Sequence, residues 1–272
     1  MPNDPVQAGI TDEAADDLGG QIAALDALGW RTIELRTIDR IPVADLTDER
    51  FGEVATTLAD KAIGVVCLAS RIGGWGRPIT TDFRHDLTEL AVLAARARSI
   101  GTRYVRIMSY PNDGLSEHEW HRRVIARITV LARHAERHGV TLLHENCSGW
   151  AGTSAERMLE LLHKVANPAL KLLFDTGNGV AHGYDGFDLL ADIVRHVEHV
   201  HVKDADERGF TLPGEGSARV ADCVKLLQSN GYSGAWSLEP HLAGKPHEPG
   251  ALAGDAAATF VAAGRAMAGL IR

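Results

Sequence analysis

Residues 196–206 read HVEHVHVKDAD. Valines and ionisable residues alternate along this run, as side chains do on the two faces of a strand. His199, His201 and Lys203 share one face, and Val200 and Val202 share the other. The valines suit a contact with helices. The ionisable face then points at a barrel axis, provided that other strands end in matching groups. A lone histidine in such a run is ordinarily a hydrogen-bonded core residue, so the reading depends on the rest of the chain.

Working outward, short apolar runs alternate with longer amphipathic ones. The strand candidates are QAGIT (7–11), TIELR (32–36), GVVCLAS (64–70), RYVRIMS (103–109), VTLLHE (140–145), LKLLFD (170–175), VEHVHVK (197–203) and AWSLE (235–239). Helical patterns follow them at 21–29, 48–61, 82–100, 116–138, 153–165, 185–195, 217–229 and 253–270. Alternation of this kind means parallel strands joined by crossover helices. Glycines in ALGW, SIGT, RHGV and SNGY close helices just before the next strand. Eight units in 272 residues, with 45% hydrophobic residues, match one (β/α)8 TIM barrel, an α/β domain spanning 1–272. The rival, a doubly wound open sheet, carries a glycine-rich turn after its first strand, and none is present.

The formal net charge is −8 and no basic run occurs, which disfavours a nucleic-acid partner. No apolar stretch approaches the roughly 18 residues of a membrane span. MPNDPVQAGITDEAADD lacks the layout of a signal peptide. Cys67, Cys147 and Cys223 are odd in number and form no CxxC pair, so reduced thiols and a cytoplasmic location are expected.

Catalytic groups of such barrels come from the C-terminal ends of strands. LLHEN supplies Glu145, LLFDTGN supplies Asp175, HVHVKD supplies His201, and WSLEPH supplies Glu239. Parity groups Leu143 with Glu145, Leu173 with Asp175, and Ser237 with Glu239 on inward faces. Three carboxylates and one imidazole at one mouth suit one divalent, fairly hard cation: Mn²⁺ first, with Co²⁺, Mg²⁺ or Zn²⁺ as alternatives. Without a cation, converging carboxylates repel one another. The competing reading is a set of scaffold salt bridges to nearby Arg and Lys.

GWRTIELRTI, RYVRIMSY, HENCSGWAGTSAER, LLFDTGN, HVHVKDAD, LPGEGSA and GYSGAWSLEPHL, in this order, resemble the sugar phosphate isomerase/epimerase superfamily over roughly residues 6–270. The resemblance implies a xylose-isomerase-like TIM barrel. It also implies one divalent metal, often manganese, held by Glu145, Asp175, His201 and Glu239, with Glu145 and Glu239 as acid and base. A metal on the carbonyl and adjacent hydroxyl of a ketosugar acidifies the C–H between them. Carboxylates on opposite faces then remove a proton and return it, giving epimerisation, or return it to the neighbouring carbon, giving isomerisation. The ketose 3-epimerases of the superfamily often carry a histidine where this chain has Asn178, which can bond a hydroxyl but cannot shuttle a proton near neutrality. SLEPHL and VKDA look closer to the branch that includes epimerases of keto-glycosides.

Further candidates surround the mouth. Lys203 holds a substrate oxygen or pairs with Asp175 or Glu239. Glu34 and Arg36 share an inward face, either as a barrel-floor ion pair or with Arg36 reaching substrate. Asn178, His182 and Arg208 are candidate substrate contacts from loops. RIGGWGR (71–77) reads as a lid, with Trp75 stacking on a sugar and Arg71 and Arg77 meeting an anion. Glu215, in the turn GEG, is a remote candidate. His196, Glu198 and His199 read as scaffold, and Cys147 lacks a base that would make it a nucleophile.

The expected activity is metal-dependent isomerisation or epimerisation of a ketosugar or keto-glycoside. A lyase or dehydratase on the same metal site, of cyclitol dehydratase or C-glycoside-cleaving type, is the alternative. An apurinic-site endonuclease needs further ligands on strands that here end in CLAS and RIMS, and a non-catalytic barrel would not need the ligand set. A homo-oligomer or a capping partner subunit over the mouth is compatible with this reading.

Overall fold

The computed structural model describes residues 4–244 and 252–272. Eight parallel strands form one sheet: β1 (Gln7–Gly9), β2 (Thr32–Leu35), β3 (Gly64–Ala69), β4 (Tyr104–Ser109), β5 (Thr141–Gly149), β6 (Leu170–Asp175), β7 (Val197–Val202) and β8 (Trp236–Leu238). Their spatial order is β1-β8-β7-β6-β5-β4-β3-β2. A parallel bridge between Ile10 and Glu34 joins the two ends of that order, so the sheet curls into a single-domain TIM barrel.

Helices α1 (Leu18–Leu28), α2 (Asp48–Asp60), α3 (Arg84–Ser99), α4 (Glu117–Arg137) and α5 (Ala155–Val165) follow the first five strands. A short α6 (Asn178–His182) and then α7 (Gly186–Ile193) follow β6, α8 (Val220–Ser229) follows β7, and α9 (Ala256–Leu270) follows β8. Asp17, Thr47, Ser116, Ser154 and Asp255 each accept a first-turn backbone N–H, which sets where α1, α2, α4, α5 and α9 begin. Gly29, Gly101, Gly139 and Gly231 take left-handed φ of 70–78° where the sequence placed C-terminal caps.

The predicted side-chain alternation is visible as two apolar layers. Ile33, Leu68, Val105, Ile107, Leu142, Leu172, Phe174, Val200, Val202 and Leu238 belong to the large core between barrel and helices. Cys67, Leu143 and Leu173 form a separate small cluster, which lines the lumen and floors the site. The register sets Asp175 beside His201, and His201 beside Ser237.

Several boundaries differ from the sequence reading. β1 stops at Gly9, and Thr11–Glu13 forms a 3-10 turn. β5 runs on to Gly149. α7, α8 and α9 begin one to three residues later than expected. Two hairpins, 37–42 and 204–211, are additions. Each has strands of two or three residues, too short to show a period. The GEG turn wraps a buried carboxylate: Asp204 accepts the backbone N–H of Ala205, Gly214, Gly216 and Ala218, so the backbone around Glu215 serves the loop's shape. No helix among the described residues is long and apolar enough to cross a membrane.

Candidate active site

Four successive strand ends bring Glu145, Asp175, His201 and Glu239 together, with one ligand atom of each within 4.8 Å of the others. All four residues are at most 3% exposed. The backbone aims them. Asn146 clips β5 to β6, its amide oxygen accepting the Asp175 N–H at 2.6 Å and its Nδ2 donating to the Asp175 carbonyl at 3.0 Å. Thr176 clips β6 to β7 by donating to the Lys203 carbonyl and accepting the Lys203 N–H. The Glu239 N–H donates to the Val202 carbonyl just past the end of β8.

His201 is oriented from behind. Its Nε2 lies 3.1 Å from both carboxylate oxygens of Glu34, which also accepts from His199 Nε2 at 2.9 Å. Its Nδ1 faces the cluster, 3.3 Å from Glu239 Oε2 and 3.8 Å from Glu145 Oε1. This Nδ1 is buried without a hydrogen-bond partner among the described residues. Burial opposes the charged imidazole, yet Glu34, Glu145 and Glu239 raise its pKa well above the usual range.

Each carboxylate meets at least one cation. Arg106, from β4, donates to Glu145 Oε2 at 2.9 Å, and Asn178 Nδ2 donates to Glu145 Oε1 at 3.0 Å. Burial works against the Glu145 carboxylate, but Arg106 and His201 pull its pKa down to about 2. Arg36 donates to Glu239 Oε1 at 2.7 Å while Asp12 and Glu13 hold its other nitrogens. Lys203 Nζ lies 3.0 Å from Asp175 Oδ2 and 3.1 Å from Glu239 Oε2. Glu239, although buried, is held well below the usual carboxylate range by Lys203, His241 and His201. Asp175 goes the other way: burial, with Glu145 and Glu239 nearby, raises it despite Lys203. Its Oδ1 accepts the Gly177 and Asn178 N–H groups at 2.8 Å.

The donor set fits a divalent cation. Three carboxylates and one imidazole nitrogen converge in a buried site, and that nitrogen, His201 Nδ1, faces the carboxylates without a hydrogen bond among the described residues. Glu34 bonded to the far nitrogen is the carboxylate–histidine pairing that orients metal-ligating imidazoles. Glu145, Asp175, His201 and Glu239 are the residues that would hold the ion.

The other sequence candidates distribute unevenly. Lys203 is in the cluster. Arg36 is at the mouth, but Glu34 is not its partner: Glu34 lies deeper and serves the two histidines, so the floor ion pair is replaced by two separate contacts. Asn178 turns its amide to Glu145 and the Asn146 carbonyl, orienting the Glu145 carboxylate. His182 stacks on Trp75 with ring centroids 5.4 Å apart, and its Nε2 lies 3.7 Å from Cys147 Sγ. Burial pushes the Cys147 thiol far above its usual range, which suits a packing role. His199 is the bonded core residue expected of it, touching Glu34 and Ser237.

Three arginines do not reach the site. Arg208 is 84% exposed on the 204–211 hairpin and closes on Asp206, because that turn projects outward. Arg71 binds Asp45 and Glu89, and Arg77 binds Asp86 and Glu89. They fasten the loop after β3 to α3 and do not present themselves to an anion. Sequence reasoning missed Arg106, Glu13, Asp12 and His241. Arg106 had a signal: a lone arginine at inward parity in the apolar run YVRIMS. His241 had a weaker one, standing two residues after Glu239. Glu13 and Asp12 sit in a turn with no period to read.

A cavity of about 770 Å³ opens at the other end of the barrel, between Arg98, Arg103, Arg195 and Glu198. It shares no residue with the ligand cluster, and chemistry in this fold belongs to the C-terminal face.

The fold and site thus define a TIM barrel of the enzyme-bearing kind, with a carboxylate–imidazole cluster where its strands end. The xylose isomerase-like TIM barrel model matches residues 22–261, and the chain belongs to that family. The chain is 27% identical over 144 residues to the inosose dehydratase of Clostridium perfringens (strain 13 / Type A), a match covering 46% of this chain and 48% of that protein. The matched region therefore spans about half the length of that relative. The IolI protein with a bound zinc atom superposes with a TM-score of 0.78 at 16% identity, covering 97% of each chain. L-ribulose 3-epimerase superposes with a TM-score of 0.73 at 20% identity, covering 98% of this chain and 94% of the other. These two likenesses establish the fold. The sequence relatives thus include a dehydratase, and the structures of similar fold an epimerase.

Proposed function

We propose that the protein is a divalent-metal-dependent enzyme that enolises a ketosugar or keto-glycoside, Glu145 and Glu239 exchanging a proton with the substrate in an epimerisation or isomerisation. The observation that carries this reading is the convergence of three carboxylates on the Nδ1 of His201, which makes no hydrogen bond among the described residues, at the mouth of the barrel. The ion would be Mn²⁺. When bound, it supplies Lewis acidity toward a carbonyl and its neighbouring hydroxyl.

The chain's own groups complete the chemistry. Arg106 and Asn178 fix Glu145, and Arg36 and Lys203 fix Glu239. Both glutamates stay ionised near neutrality, so each is able to accept a proton. Lys203 stays cationic, because Asp175 and Glu239 outweigh the cost of its burial. Trp75, 46% exposed, and His182 present stacked rings suited to the apolar face of a sugar.

The similarity to inosose dehydratase favours a second reading, elimination of water from a keto-cyclitol after the same C–H cleavage. One experiment separates the two. The Mn²⁺-loaded protein is incubated in D₂O with a panel of ketosugars, keto-glycosides and inososes, and products are read by mass spectrometry. Deuterium gained without loss of mass supports epimerisation or isomerisation. Loss of one water supports the dehydratase. No exchange and no elimination across the panel would reject enolisation.

A further inference from the structure

Lys203 is the cation that touches two of the four converging residues, Asp175 and Glu239, and the metal reading gives it no part as a ligand. An ammonium has three hydrogens to donate. Asp175 Oδ2 at 3.0 Å, Glu239 Oε2 at 3.1 Å and His241 Nε2 at 3.2 Å stand around Nζ. Two of these three atoms belong to residues of the metal-ligand set.

The third partner is built for the task. Glu13 grips His241 with both oxygens, one accepting the backbone N–H at 2.6 Å and the other facing Nδ1 at 2.8 Å. With the proton on Nδ1, Nε2 is left as an acceptor aimed at Lys203. His241 takes a φ of 54°, uncommon for a non-glycine residue, and Phe210 packs edge-on against its ring at 5.0 Å. Strained backbone, a two-point grip and a packed ring together fix one direction for Nε2.

We infer that Lys203 is an internal competitor of the metal, held on the oxygens of Asp175 and Glu239 by the Glu13–His241 pair, and that it keeps the ion weakly bound and exchangeable. The inference rests on the ligand set proposed above. A fixed positive charge on two ligand oxygens repels a dication in a site where charges are poorly screened. His241 acts only through Lys203 and is a positioning residue.

The test is Mn²⁺ affinity by isothermal titration calorimetry on the full chain. Lys203→Met is expected to bind at least tenfold tighter than the native protein, with Lys203→Gln agreeing in sign. His241→Ala, which frees the ammonium to swing away, is expected to tighten binding by a smaller factor. The double variant should gain nothing over Lys203→Met, since non-additivity marks residues that act through one another. Unchanged or weaker binding by Lys203→Met and Lys203→Gln overturns the inference while leaving the ligand set standing. So do additive effects of the two sites. Binding by the lysine variants alone supports strong competition. Absence of binding in every form overturns both the ligand set and the inference.

Discussion

Replacing Arg106 by methionine tests the electrostatics of the lumen most directly. Arg106 is 6% exposed, and its Nη1 sits 2.9 Å from Glu145 Oε2. A carboxyl that titrates near about 2 in the folded chain, against an ordinary 4.5, contributes about 3 kcal/mol of stability at neutral pH. Arg106 is the largest favourable influence on it. Leaving one partner of a buried pair unanswered costs about 3–5 kcal/mol, so the two routes agree on a loss of about 3 kcal/mol. The sign of the pH dependence follows from the depressed pKa. The native contribution is fully present above about 4.5 and is lost as the pH falls toward about 2. In the variant burial raises Glu145, which takes up its proton early on acidification and relieves the penalty. The gap between native and variant is therefore widest near neutrality and closes as the medium is made acidic. Urea unfolding in the presence of a chelator, which removes metal linkage, followed by circular dichroism and tryptophan fluorescence, reads the gap. A gap below about 1 kcal/mol at neutral pH, or one that does not change on acidification, would refute the argument.

Glu34→Gln keeps the shape behind His201 but removes the charge that orients Nε2; Mn²⁺ affinity measured by calorimetry should fall about 10–100-fold, and an unchanged affinity would remove Glu34 from the site. Arg208→Ala, on an exposed hairpin and paired only with Asp206 among the described residues, should leave thermal stability close to that of the native protein and leave deuterium exchange into substrate unchanged. A large loss of exchange would mean that the hairpin folds over the mouth during turnover.

Much of the architecture was legible in one dimension because it is periodic. Val200 and Val202 alternate with His199 and His201, and that alternation alone assigns the faces of β7. The same parity at Glu145, Asp175 and Glu239 places four ligand-type groups at one mouth from the sequence alone. Local rules also sufficed at Gly29, Gly101, Gly139 and Gly231, where a helix must end and only a left-handed residue closes it.

What the tertiary structure decided is which charge answers which. Arg106 and Glu145 are 39 residues apart, Arg36 and Glu239 are 203, and Glu13 and His241 are 228. The α4 crossover separates Arg106 from Glu145, and barrel closure brings the first strands beside the last, so no sequence window holds both members of these pairs. Arg208 and Arg71 looked like candidates for the mouth by their position after strands, and the direction in which each loop leaves the barrel sends them elsewhere. The residue types and their strand parity are written locally, which is why the sequence alone determined the barrel and the four strand-end groups that meet at its mouth. Pairing in a low-dielectric lumen depends on distances between strand ends, and only the closed fold sets those.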